Sequence, residues 1–261
     1  MVSNVSRFHR LVRQIEIQGD FLFRWRGQFG AVLLPVLALA IWQPGWPGNL
    51  LGDHAIDAVC DLGMAISLLG LGLRCFTVGS VPGDSSGRNT REQRAAALNT
   101  TGMYSIVRHP LYVANGIVLA GFALATTSLW FMLLSLACFA LFIERVAAAE
   151  EKFLQQTYGD AYAHWIRQTP AFLPRLELWR SNPLRYSIRT VLRREYNGFL
   201  GVTLAFFLLE ALRDMAIAHE SPRAWLADDG IWTVMLLLGT LVSATLRTLK
   251  RHTRWLHIGG R

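Results

Sequence analysis

The chain has 261 residues, of which 52% are apolar and only 17% charged, and its formal net charge is +8. Soluble domains carry about a quarter charged residues, so the composition excludes a disordered chain and points to lipid as part of the solvent. Cys60, Cys75 and Cys138 lie far apart, each within an apolar run. That pattern offers neither a disulfide framework nor a zinc-type cluster, and no metal site is expected.

Residues 1–27 alternate basic and apolar groups (Arg7, Arg10, Arg13 with Phe8, Leu11, Val12, Ile15) and predict an amphipathic segment at an anionic lipid interface. Polar and arginine-rich as this stretch is, it does not read as a cleavable signal peptide. Six apolar runs follow, close to the length a bilayer requires: Phe29 to Trp46, Ala58 to Val78, Leu111 to Ala125, Leu129 to Ile143, Phe199 to Leu212 and Ile231 to Leu246. The third and fourth meet at Thr126-Thr127-Ser128 as a helical hairpin. The expected fold is therefore all-α, a polytopic membrane protein of about six transmembrane helices with a cytoplasmic cofactor pocket. Its parts are the segment 1–27, a core over 28–195 and a two-helix extension over 196–261; the core includes a loop at 79–110 and a closing segment at 145–195.

With both termini in the cytoplasm, 24 of the 26 Lys and Arg residues fall on that side, and only Arg213 and Arg223 fall outside. This asymmetry orients the chain in a membrane, expected to be a bacterial inner membrane, and accounts for the positive charge without nucleic acid. Glu144 and Glu210 are costly in lipid and are expected to pair with Arg145 and Arg213.

Two clusters carry chemistry, both at the cytoplasmic mouth of the hairpin. The first runs from Leu98 through Thr101, Gly102, Tyr104, Arg108, His109 and Pro110 to Tyr112. Pro110 suits a first helical turn, so the third span should start here with free amides and a positive dipole end. His109 and Tyr112, three apart, share a face. The second cluster is Glu150-Glu151-x-x-Leu154, then Gly159-x-x-Tyr162, then Leu173-Pro174. Adjacent carboxylates on a helix point about 100° apart, so at least one faces the mouth. An anion-receptive helix start, paired carboxylates and nearby tyrosines suit a zwitterionic, cationic cofactor with a ribose, and S-adenosylmethionine has all of these parts.

These two motifs resemble the integral-membrane methyltransferases that include isoprenylcysteine carboxyl methyltransferase and the phospholipid N-methyltransferases, over roughly residues 60 to 175. The resemblance implies S-adenosylmethionine bound in a cytoplasmic pocket by Thr101, Gly102, Tyr104, His109, Tyr112, Glu150 and Glu151, with a membrane lipid or lipid-anchored molecule as substrate. Arg108 and Arg145 are the arginines expected to serve catalysis. Isoprenylcysteine enzymes carry an arginine four residues before the Glu-Glu pair; here Val146 stands there. The stretch Ser86-Gly87-Arg88-Asn89-Thr90 is more similar to a bacterial branch that methylates a lipid phosphate, which implies Arg88, Arg94 and Asn115 as substrate contacts. Methylation of an anionic headgroup oxygen is thus expected. The readings weighed against it are carboxyl or nitrogen methylation, a sterol-reductase-like oxidoreductase using NADPH, and a transporter or scaffold. Leu111 and Asn115 depart from the reductase pattern, and a scaffold leaves both clusters unexplained.

Overall fold

The structure is a computed structural model that describes residues 14–15, 17–43, 53–82, 97–217, 219–256 and 258. Among these residues there are helices and turns and no strand. A first helix, α1 (Ile17–Gln28), bends by 63° into the next, which is α2 (Phe29–Trp42). Then come α3 (Asp53–Gly79), the one-turn α4 (Met103–Ile106), α5 (Pro110–Ala125), α6 (Leu129–Tyr158) and α7 (Asp160–Gln168). The last three are α8 (Ile188–Ala211), α9 (Pro222–Asp228) and α10 (Gly230–His252), with a π-helical turn over Leu212–Ile217 after α8.

Local chemistry sets the ends. Pro110 occupies the first turn of α5, where its missing N–H costs nothing. Thr127 takes a positive φ of 53° in the turn before α6. Gly159, at φ 50°, separates α6 from α7, and the Ser187 and Ser221 side chains accept from the amides of Thr190 and Ala224 at the starts of α8 and α9. Lys250, Arg251 and His252 close α10, where cations complement the helix dipole.

Among the described residues three helices are long and apolar enough to cross a membrane, His54–Gly79, Leu129–Tyr158 and Gly230–His252, or four if the bent pair α1 and α2 forms one span. Helix α5 is apolar but shorter, and α8 carries Arg189, Arg193, Arg194, Glu195 and Glu210. Helices also outrun the apolar windows: α6 continues from Ile143 to Tyr158, and α8 begins at Ile188 instead of Phe199. Hydropathy marks the stretch that lipid tolerates, whereas helical hydrogen bonding continues into polar sequence.

A close helix seam joins α3 to α5. A Cβ on Gly63 or Gly121 would strike the other glycine's carbonyl, and one on Gly70 would meet the Ala114 carbonyl and Val118. Ser67 donates to the Val118 carbonyl across the same seam at 2.9 Å. Small residues substitute here for a hydrophobic driving force, which lipid does not supply between helices. Cys60, Met64, Ala125, Val202, Phe206, Leu209, Trp225 and Trp232 form one buried cluster between α3, α8 and α10. Leu62, Leu69, Leu133, Leu141, Leu204, Leu208, Leu237 and Leu241 stand exposed on the outer surface, an apolar periphery suited to lipid.

Both expected ion pairs form, the Glu210 pair largely buried and the Glu144 pair at the surface. Arg213 reaches Glu210 at 3.3 Å and also donates to the Cys60 sulfur and to the Ala125 carbonyl. Arg145 reaches Glu144 at 3.5 Å.

Candidate functional site

The two motif clusters meet where α5 begins. His109 Nε2 lies 2.9 Å from Glu151 Oε1, and its Nδ1 lies 3.8 Å from Glu150. The Tyr112 hydroxyl donates to Glu150 at 2.8 Å, and Arg108 reaches Glu151 at 2.8 Å. The His109 ring stacks between Tyr112 and Phe172, with centroids 5.4 and 5.5 Å away. His109 itself is buried, while the Glu150 and Glu151 side chains remain 28% and 27% exposed. An ionised carboxylate offers about four lone-pair sites, so both retain capacity for a ligand beyond these contacts.

Two polar atoms beside this cluster, Arg108 Nε and the Tyr162 hydroxyl, are buried with no hydrogen-bond partner among the described residues. Burial, and then the Glu151 charge, push the Tyr162 phenol above its ordinary range, with Arg108 opposing. It therefore stays a protonated donor. Tyr104 is likewise pushed up, by burial and then by Glu150, while Arg74 and Arg194 oppose.

A strap formed by the segment after α7 covers the mouth. The amides of Arg108 and His109 donate to the carbonyls of Pro170 and Ala171 at 2.8 and 3.2 Å, Arg175 donates to Ile106, and Gly102 donates to Arg180. The Trp165 indole donates to the Tyr104 carbonyl, and Ser105 is bonded to both Gly102 and Arg180. The expectation of free amides at the start of α5 is thereby corrected in part: the strap takes those of Arg108 and His109, and the Tyr112 amide turns to the His109 carbonyl. Gly102 holds a φ of 60°, and a Cβ there would press on Asn182, so glycine serves a tight turn under the strap.

Other expected residues fall elsewhere. Arg145 is held by Gln18, by the Leu141 carbonyl and by Glu144, on the side of α6 that packs on Gly19 of α1, and it does not join the mouth. Thr101 contributes its carbonyl to the Tyr104 amide. Arg88 and Arg94 lie outside the described residues. Val146 is fully buried, so an arginine in its place would need the packing around it to change.

Asn115 lies one turn beyond Tyr112 and accepts from Arg74, whose guanidinium also makes a two-pronged contact with Glu195 at 3.0 and 3.2 Å. These residues line a cavity of about 300 Å³ together with Arg194, Asn197, Leu71 and Val202. Arg74, Arg194 and Glu195 were missed as site residues. The available signal was a charge standing inside an otherwise apolar run, as Arg74 does. At the opposite end of the bundle, carboxylate oxygens of Asp214, Glu220 and Asp229 approach within 4.8 Å of one another, and Asp214 accepts from the Trp225 indole.

The family model for phospholipid methyltransferases matches residues 62–161, a stretch that holds Arg74, Arg108, His109, Tyr112, Glu150, Glu151 and the α5–α6 hairpin. The chain belongs to the phospholipid methyltransferase family. Among its relatives, the nickel-cobalt-cadmium resistance protein NccN of Alcaligenes xylosoxydans xylosoxydans is 32% identical over 168 residues, 62% of this chain and 70% of NccN. The cobalt-zinc-cadmium resistance protein CzcN of Cupriavidus metallidurans is 41% identical over 83 residues, 32% of this chain and 38% of CzcN. No solved structure matches. Within the phospholipid methyltransferase family match, α8 and α10 have no counterpart, so Arg194 and Glu195 come from outside the matched region.

Proposed function

We propose that the protein is an S-adenosylmethionine-dependent membrane methyltransferase that methylates an anionic oxygen, a phosphate, of a lipid in the cytoplasmic leaflet. The observation that carries this reading is the convergence of Arg108, His109, Tyr112, Glu150 and Glu151 at one end of a hairpin inside the family match. The cofactor supplies a methyl group on a sulfonium, which leaves as a neutral thioether. Glu150 or Glu151 would hold its amino group or ribose hydroxyls, and Arg108 or the Tyr162 hydroxyl would meet its carboxylate. The His109, Tyr112 and Phe172 rings form an apolar wall that excludes water. A phosphate oxygen is anionic at neutral pH and needs no general base; catalysis then rests on holding it in line with the methyl. Methylation also removes negative charge from a headgroup and so weakens its attraction for divalent cations, a link to the metal-resistance names of the relatives.

Titration calorimetry with S-adenosylhomocysteine is expected to show saturable binding; binding of NADPH with no response to S-adenosylhomocysteine would overturn the methyltransferase reading. Membranes incubated with methyl-labelled cofactor are expected to yield a labelled phospholipid by mass spectrometry. Label on a prenylated cysteine or an ethanolamine nitrogen would refute the acceptor. The orientation is tested by single cysteines at Gln43 and Arg251 in a background lacking the three native ones. Gln43, which accepts from Trp130 at the α2 terminus, is expected to react with an impermeant reagent on intact cells, and Arg251 only after lysis. The reverse pattern would put the mouth on the outer face.

A further inference from the structure

We infer that the cavity between α3, α5 and α8 is an anion subsite that seats the phosphate of a lipid headgroup. As the place of the methyl acceptor this deepens the proposed function and rests on it, whereas the binding itself can be tested separately. Charge is the first argument. Among the described residues that line the cavity there are two guanidiniums, Arg74 and Arg194, and one carboxylate, Glu195; the Arg194 and Glu195 residues are only 7% and 5% exposed. A buried site with an excess of cationic groups favours an anion, and its low dielectric surroundings strengthen the attraction.

Donor geometry is the second. Glu195 grips Arg74 through Nε and one terminal nitrogen, and Asn115 takes a proton from the other. A guanidinium has five N–H donors, so a fixed fork remains with protons to offer, the arrangement that suits tetrahedral oxyanions. Asn197 also lines the cavity.

Place and size are the third. Asn115, on the cavity wall, follows Tyr112 by one turn on the same face of α5, and Tyr112 is the partner of Glu150, so the cavity lies one helical turn from the mouth cluster. At about 300 Å³ it lies at the small end of ligand sites: room for a headgroup, with acyl chains left among the exposed leucines of α8.

A structural ion pair between α3 and α8 is the competing account, and charge-altering variants separate the two. The probes are dioctanoyl phosphatidic acid, inorganic phosphate and dioctanoylglycerol, titrated into the full-length protein in neutral detergent, with S-adenosylhomocysteine titrated in parallel. Phosphatidic acid is expected to bind at least tenfold more tightly than inorganic phosphate, with no saturable binding of dioctanoylglycerol. Arg194→Gln should weaken phosphatidic acid about tenfold and leave S-adenosylhomocysteine unchanged. Glu195→Gln, which keeps the side-chain size and removes the only carboxylate lining the cavity among the described residues, should tighten phosphatidic acid several-fold. Equal binding of dioctanoylglycerol, or no change in phosphatidic acid affinity in either variant, would overturn the subsite. Inorganic phosphate binding as tightly as the lipid would overturn the lipid source. Loss of S-adenosylhomocysteine binding in the wild-type protein with these responses intact would sink the methyltransferase reading alone.

Discussion

Glu151→Ala is expected to slow methyl transfer about a hundredfold while the protein stays folded. Glu151 is the shared partner of Arg108 and His109, at 2.8 and 2.9 Å. Its removal leaves a guanidinium and an imidazole without their acceptor in a partly desolvated mouth. Hydrogen bonds to charged groups are worth about 1.5–3 kcal/mol, so affinity for S-adenosylhomocysteine should fall about ten- to a hundredfold. Turnover at saturating cofactor should fall further, by about a hundredfold, because a misplaced methyl loses its line of approach. Glu150→Ala, which frees the Tyr112 hydroxyl, should behave similarly. Glu144→Ala is the control: its pairing with Arg145 is at the surface, and surface ion pairs contribute about 0–1 kcal/mol. Calorimetry and labelled-methyl transfer read these effects. Unchanged affinity in both the Glu150 and Glu151 variants would place the cofactor elsewhere.

The largest stability effect is expected from Gly121→Leu. At this position an added Cβ already collides with the Gly63 carbonyl, Ser67 Oγ and the Ser67 amide nitrogen. Two of those atoms are backbone and cannot rotate away. Overpacking of this kind costs about 3 kcal/mol, and denaturant titration in detergent should show it as a lowered midpoint or as loss of the monodisperse protein. Gly72→Leu, on the partner helix α3 with nothing within 4 Å of its added Cβ, should not lower stability, since leucine is the better helix former. Equal tolerance at both positions would show that α3 and α5 are not packed along this seam.

The mouth was legible in the sequence because its parts are local signals. Pro110 marks a helix start, His109 and Tyr112 sit three apart on one face, and Glu150 and Glu151 precede the Gly159 break by less than three turns. Each signal lies within a short window, and the family pattern supplies their order. The Arg74–Glu195 pair was not legible because 121 positions separate its members, and no local pattern says which of several arginines Glu195 will meet. Arg145 shows the opposite failure. It is near Glu150 in sequence, yet helical rotation carries it to the α1 side, towards Gln18. Span lengths were blurred for a third reason: the apolar run tells where lipid is tolerated, while α6 and α8 extend well past it as helix.

The strap after α7 has a consequence for turnover. Its backbone bonds to Gly102, Ile106, Arg108 and His109 run along the stretch that leads into α5, and its later part reaches the end of α3, where the Ser187 amide donates to the Gly79 carbonyl and Asn182 to the Ser80 carbonyl. Peeling such a ribbon from one end exposes unpaired amides before any room is gained, so departure is a single cooperative event with a barrier. Lid motions of this type fall in the microsecond-to-millisecond range. Under the proposed function the nucleoside product would leave past the strap and the lipid sideways between helices, so the two exits would be mechanically separate.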